Sequence, residues 1–218
     1  MRERQLVIFD FDGVIMDTEW AHEEVKREMC RERKIPCPDN LAFAVGHSVR
    51  DSWSHILGEK RTDSLVEELA RSQFQRTYRK LREKRQQLPG GLKGLLQNLK
   101  ASGYLLAVCS GSDEDFVRAI LKDWKLDLHF DHVQGGDGIP KLKPAPDIYL
   151  VLLKQAGIPA KEAVAVEDSL SGSRAARSAG IHCIRYTDGG RNQQPLDEGE
   201  MTVDTMEELE KILQNVPI

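Results

Sequence analysis

The chain has 218 residues, 40% hydrophobic and 30% charged, with a formal net charge of −4. That length suits one domain, or one domain carrying a smaller insert, and the acidic balance argues against a general nucleic-acid binder. The longest apolar stretches, such as Tyr104 to Cys109, are far too short to span a bilayer, and no basic-then-apolar leader precedes Leu6. The expectation is therefore a soluble, cytoplasmic protein that binds neither nucleic acid nor membrane. Its four cysteines (Cys30, Cys37, Cys109, Cys183) form no CxxC pair, so free thiols are the default rather than zinc or redox chemistry.

The first element is the run Val7-Ile8-Phe9, which reads as a strand buried on both faces, as in the parallel sheets of α/β proteins. Two acids follow at its carboxyl end, Asp10 and Asp12, with Asp17 after a glycine. Carboxylates so placed repel each other and lose hydration, so a cation or a chemical task must hold them there. Between residues 16 and 88 no buried strand appears. Ala21, Val25 and Met29 form a helical stripe; Ser48 is a plausible N-cap for a helix over Val49 to Leu57; Leu65, Leu69 and Phe74 continue a further helical region up to Pro89-Gly90-Gly91. This segment is mildly basic against an acidic remainder, and its densest basic run, Arg71 to Arg85, reads as a solvated helix face.

Beyond the break, Leu92, Leu95, Leu96 and Leu99 fall on one helical face, and Leu105 to Cys109 reads as a buried strand. Further strands are expected at Ala163 to Val166, Ile181 to Arg185 and near His132-Val133. Glycines at 103, 157 and 180 each close a helical pattern before an apolar run. The fold class expected is α/β, a doubly wound, Rossmann-like parallel sheet formed by residues 1–15 and 89–218, with a helical domain inserted at 16–88.

Ligands of open α/β sheets bind outside the carboxyl ends of the strands. Three further strand ends carry polar residues there. Ser110-Gly111-Ser112-Asp113 offers a hydroxyl and backbone N–H groups beside a helix start, which suits a phosphate. Lys141-Leu142-Lys143-Pro144-Ala145-Pro146 is a loop stiffened by two prolines. Glu167-Asp168-Ser169 adds two acids. Carboxylates for a hard cation, with a lysine and a hydroxyl for an anion, are the parts of a Mg²⁺-dependent phosphoryl-transfer site. Other features read as structural: His129 and His132 flank a strand start, and Gly172, Ala175, Ala176 and Ala179 make a small helix face for close packing on the sheet.

DFDGV, the serine ending the second core strand, KPAPDIY and the EDS strand end, in this order and with a helical insert after the first motif, resemble the haloacid dehalogenase superfamily over essentially the whole chain. Asp17, Thr18 and His22 fit the pattern of its phosphoglycolate phosphatase and β-phosphoglucomutase-like branch, which carries an α-helical cap. The resemblance implies that Asp10 is a nucleophile forming an aspartyl-phosphate and Asp12 a general acid and base. Mg²⁺ is then held by the Asp10 carboxylate, the Asp12 main-chain carbonyl and Asp168, with Glu167 directly on the metal or one shell behind it. Ser110, Gly111 and Lys143 bind the phosphoryl group. In the cap, His22, His47 and Arg50 are the candidates for reading the substrate, Arg50 by contacting the far end of a phosphosugar. The presence of Asp12 favours phosphoryl transfer over dehalogenation. The implied activity is hydrolysis of a small phosphorylated metabolite by a monomer or weak homodimer. A phosphohexomutase and, from another class, a receiver-type phosphoacceptor domain are the alternatives; a receiver has no cap.

Overall fold

The computed structural model describes residues 5–41, 48–191 and 195–215. Its six strands are β1 (Leu6–Asp10), β2 (Leu105–Cys109), β3 (His132–Gln134), β4 (Ala163–Glu167), β5 (His182–Tyr186) and β6 (Met201–Val203). They form one sheet in the order β3-β2-β1-β4-β5-β6, every neighbouring pair parallel.

An all-parallel sheet needs both faces covered, and side-chain alternation divides the core accordingly. Val7 and Phe9 of β1 pack with Leu106, Val108, Val164 and Val166 on one face. Leu6 and Ile8 pack with Ala107, Ala163 and Ala165 on the other. The first face is covered by α4 (Leu92–Ala101), α5 (Glu114–Asp123) and α8 (Met206–Asn215), the second by α6 (Asp147–Ala156) and α7 (Leu170–Ser178). The expected leucine face of α4 is fully buried, each side chain contributing about 2 kcal/mol. Gly103 and Gly180, at φ of 90° and 80°, follow α4 and α7 and let the chain turn back towards the next strand.

Between β1 and α4 the described residues hold three α-helices and no strand: α1 (Glu19–Glu32), α2 (Val49–Leu57) and α3 (Asp63–Glu83). They occupy the segment expected as an insert. Ala21, Val25 and Met29 are buried, and Ser48 caps α2 by accepting the Asp51 N–H at 2.9 Å. These helices meet the sheet layer through aromatic contacts, with Phe74 of α3 and His22 of α1 lying 5.1 and 5.6 Å from the ring of Phe116 in α5. Among the described residues no helix is long and apolar enough to cross a membrane.

Candidate active site

β1 and β4 lie side by side, with Phe9 level with Val166, so Asp10 and Glu167 end neighbouring strands one step further on. Asp10 is also level with Cys109 on β2. The chain leaves β1 towards β2 and leaves β4 in the opposite direction, which opens a crevice at these carboxyl ends. By the two-residue period of a strand, Asp10, Cys109 and Glu167 project to the face that α6 covers.

Lys143, in the loop before α6, reaches into this point. Its Nζ lies 2.6 Å from Asp10 Oδ1 and 2.7 Å from Glu167 Oε1, and it donates to the Cys109 carbonyl at 3.2 Å. The Tyr149 hydroxyl donates to the same Glu167 oxygen. Asp168 completes a group of three acids: Asp10, Glu167 and Asp168 each offer a ligand atom, all within 4.8 Å of one another. Burial, then Glu167 and the other carboxylates, pushes Asp10 well above the usual range, and Asp168 is raised by burial, Glu167 and Glu19. Burial would lower the Lys143 ammonium, but Asp10 and Glu167 outweigh it and hold it well above its ordinary value. One lysine thus faces three buried acids, and the surplus negative charge and hard oxygen donors fit a divalent cation such as Mg²⁺.

The loop after β1 closes on these acids through Gly13, at φ of 84°, where any Cβ would collide with the Asp168 carboxylate. From behind, the buried Arg185 donates to the Asp168 carbonyl at 2.7 Å and lies 3.3 Å from Glu200. Asp12 stands apart. Its carboxylate accepts hydrogen bonds from the Thr18 hydroxyl, from Ser110 Oγ at 3.1 Å and from Ser112 Oγ at 3.3 Å. Two neighbouring carboxylates therefore sit in different environments, Asp10 tied to a lysine and Asp12 to hydroxyls.

Above the acids lies a cavity of about 130 Å³. Of the residues singled out in the sequence, Asp10, Asp12, Gly111, Lys143, Asp168 and His22 line it. The ring of His22 lies 3.0 Å from Gln73 Nε2, and burial lowers its pKa to about 4, so it is neutral. Glu19 at the start of α1 is pushed up to about 7 by burial and by Asp12 and Asp17.

Two expectations, Ser110 and Arg50, are placed differently. Ser110 is fully buried, its hydroxyl spent on Asp12 and on the Ser112 N–H at 3.0 Å, so Gly111 and Ser112 form the cavity wall instead. Glu167 does not line the cavity, but it stays with Asp10 and Asp168 in the acid cluster, as expected, and anchors Lys143. Arg50 does not line the cavity: its guanidinium pairs with Glu67 of α3 at 2.6 Å and with Asp113 at 2.5 Å, and Asp137 lies 3.9 Å away, so it ties the insert to the sheet layer. His47 lies outside the described residues. Thr18, Ser112 and Tyr149 escape a reading of the sequence as site residues. Thr18 and Tyr149 stand inside the family-like motifs, but nothing in their spacing shows which acid they hold.

Residues 7–186 match the model of the haloacid dehalogenase-like hydrolase family. The chain belongs to that family, and it is an enzyme of the phosphatase type. It is 30% identical to a phosphoglycolate phosphatase of Pseudomonas savastanoi pv. phaseolicola, covering 94% of this chain and 78% of that one. It is 28% identical to YhcW of Bacillus subtilis, covering 95% and 94%. Among solved structures, CbbY of Rhodobacter sphaeroides in complex with phosphate shares the fold at a TM-score of 0.83 and 24% identity, covering 95% and 96%. A β-phosphoglucomutase of Clostridium difficile does so at 0.81 and 21%, covering 97% and 96%.

Proposed function

We propose that the chain hydrolyses a small, phosphosugar-like phosphoric monoester with Mg²⁺, through an aspartyl-phosphate on Asp10. The observation that carries this is the division of labour between the two strand-end carboxylates. Asp10 is fixed by Lys143 beside the acid cluster, whereas Asp12, held by three hydroxyls, is free of it. Groups in unlike environments take unlike roles.

In the first step an Asp10 oxygen attacks phosphorus and the bond from phosphorus to the ester oxygen breaks, while Asp12 protonates the departing alcohol. In the second, Asp12 takes a proton from water as that water's oxygen bonds to phosphorus; inorganic phosphate leaves and the Asp10 carboxylate is restored. Lys143 and the backbone N–H of Gly111 offset the charge on the phosphoryl oxygens. The carboxylates of Asp10 and Asp168, with the Asp12 carbonyl and Glu167 beside them, would hold Mg²⁺, which supplies further positive charge at the phosphoryl group when bound. His22 is neutral at the cavity wall and suits contact with the leaving alcohol.

The test is turnover of p-nitrophenyl phosphate with Mg²⁺, with excess EDTA, and by Asp10→Asn. Turnover should need Mg²⁺ and vanish in the variant, because the amide is nearly isosteric but a poor nucleophile. Full activity in EDTA would overturn the reading. So would a tenth or more of it in Asp10→Asn, a barrier change of only about 1.4 kcal/mol. Formation of an isomer from a hexose phosphate without phosphate release would make the enzyme a mutase.

A further inference from the structure

The α1 wall of the cavity carries a polar stripe, with Glu19, His22, Glu23 and Lys26 falling at i, i+3, i+4 and i+7 and all bordering the cavity, Glu23 at its exposed rim. Three of these have partners or a place in the site. Glu19 stands in the field of Asp12, His22 bonds Gln73, and Glu23 pairs with Arg27 at 2.8 Å. Lys26 is different. It is only 3% exposed, yet among the described residues no carboxylate stands within ion-pair distance of its ammonium. The charged or titratable groups around it, Cys30, Cys37, Glu23 and Glu19, act on it through space without bonding to it.

A cation on a buried side chain without a counter-charge is costly, and among the described residues the other such cations have one: Lys143 has Asp10 and Glu167, and Arg185 has Glu200. Burial lowers Lys26 to about 8, which leaves it mainly charged at neutral pH. Across the cavity the fully buried Gln73 of α3 has one amide atom on His22 and the other without a partner. Two turns of helix, about 10 Å along the axis, separate Lys26 from Glu19 at the catalytic end. A cation is thus held at the end of the cavity away from Glu19, with an amide group beside His22.

We propose that Lys26 is a specificity-determining residue, the anchor for a second anionic group, a carboxylate or a second phosphate, at the far end of a small phosphomonoester whose near phosphate meets Asp10. This rests on the phosphatase reading and names its substrate class. Gln73 takes a hydroxyl or similar polar group of the same substrate.

Two matched pairs of substrates test it, each differing in the far end alone: 3-phosphoglycerate against glycerol 3-phosphate for a carboxylate, and fructose 1,6-bisphosphate against fructose 6-phosphate for a phosphate. The wild type should prefer the anionic member of at least one pair by about tenfold or more in kcat/KM, the scale of a hydrogen bond to a charged group. Lys26→Met should lose that preference, mainly through KM, and Lys26→Arg should keep most of it. In the wild type the preference ratio should also fall as pH rises through about 8, a readout that stands if Lys26→Met does not fold. Groups that act on the shared near phosphate cancel in the ratio; Glu19, raised to about 7, does not, and its effect persists in Lys26→Arg, whose guanidinium stays charged through pH 8, whereas that of Lys26 disappears. No preference in either pair, a preference that survives Lys26→Met, or a ratio flat through pH 8 would overturn the proposal. Absence of turnover on all four esters and on p-nitrophenyl phosphate would instead overturn the phosphatase reading.

Discussion

Replacing Gly172 by alanine should cost both stability and activity, although the helix itself would gain. Gly172 sits in the first turn of α7, and a Cβ built there falls inside van der Waals contact of both oxygens and the carboxyl carbon of Glu167. Glu167 has nowhere to go. It is fully buried, and its Oε1 is held by Lys143 at 2.7 Å and by the Tyr149 hydroxyl. Alanine gains up to about 1 kcal/mol over glycine in a helix, whereas forcing a methyl group into a filled core costs about 1 to 3 kcal/mol. Displacing one partner of a buried ion pair adds to that cost. The net expectation is a loss of about 2 kcal/mol by urea unfolding, where overpacking outweighs propensity. Turnover of p-nitrophenyl phosphate should fall with it by roughly tenfold or more, since Lys143 and Asp10 move together with Glu167. Gly94, on the exposed side of α4 with open space around its Cβ position, is the control. Gly94→Ala should gain up to about 1 kcal/mol with activity intact. If the two variants prove equally stable and equally active, the packing of Glu167 against α7 does not position the site.

His22 has a folded pKa of about 4 against an ordinary 6.5, so the unfolded chain binds the proton first. Its contribution is whole above pH 6.5 and is lost as pH falls towards 4, by at most about 3 kcal/mol. Urea unfolding of the wild type and His22→Gln at pH 7 and pH 5 should show a smaller drop for the variant; equal drops would contradict the neutral, buried imidazole. Arg50 bridges Glu67 and Asp113 while about a third exposed, so Arg50→Ala should cost only about 1 kcal/mol of stability. It should also change kcat/KM on p-nitrophenyl phosphate and on 3-phosphoglycerate by the same factor. A loss confined to the charged metabolite would restore Arg50 as a substrate contact.

The convergence of Asp10, Asp12 and Asp168 at one edge was legible because a parallel strand fixes both the place and the direction of the residues just beyond its end, whereas Lys143, nine residues past β3, stood out only through its motif. An acid one residue past a buried apolar run has to emerge at the carboxyl edge, and the sheet order then brings β1 and β4 together. Residues placed by one helix packing on another carry no such signal. Tyr149 falls in register with Ile148 and Leu152 and reads as core, which it is; that its hydroxyl meets Glu167 depends on β4, 18 residues away. The small face of α7 was visible in Gly172, Ala175 and Ala176, but the sequence does not tell that a carboxylate, rather than another methyl group, lies against it. In the sequence Arg50 stands four residues after Gly46, a turn signal, as a cleft residue would, yet its partners lie 17 and 63 residues away and draw it off the cavity.

Lys26 is the extreme case of this difference. Flanked by Val25 and Arg27 in a helix with Glu and Arg at nearly every other position, it reads as one more solvated charge. Its burial comes from where the stripe of α1 points, and that is set by the apolar side of the same helix. Ala21, Val25 and Met29 are all buried, so the helix can rotate little without exposing them. The residue after Val25, turned about 100° round the helix from it, then lies at the border between the packed face and the cavity. There a long side chain can bury its methylenes while keeping its ammonium at the polar edge. The apolar stripe by which α1 was expected as an insert helix is therefore also what aims Lys26 into the candidate active-site cavity.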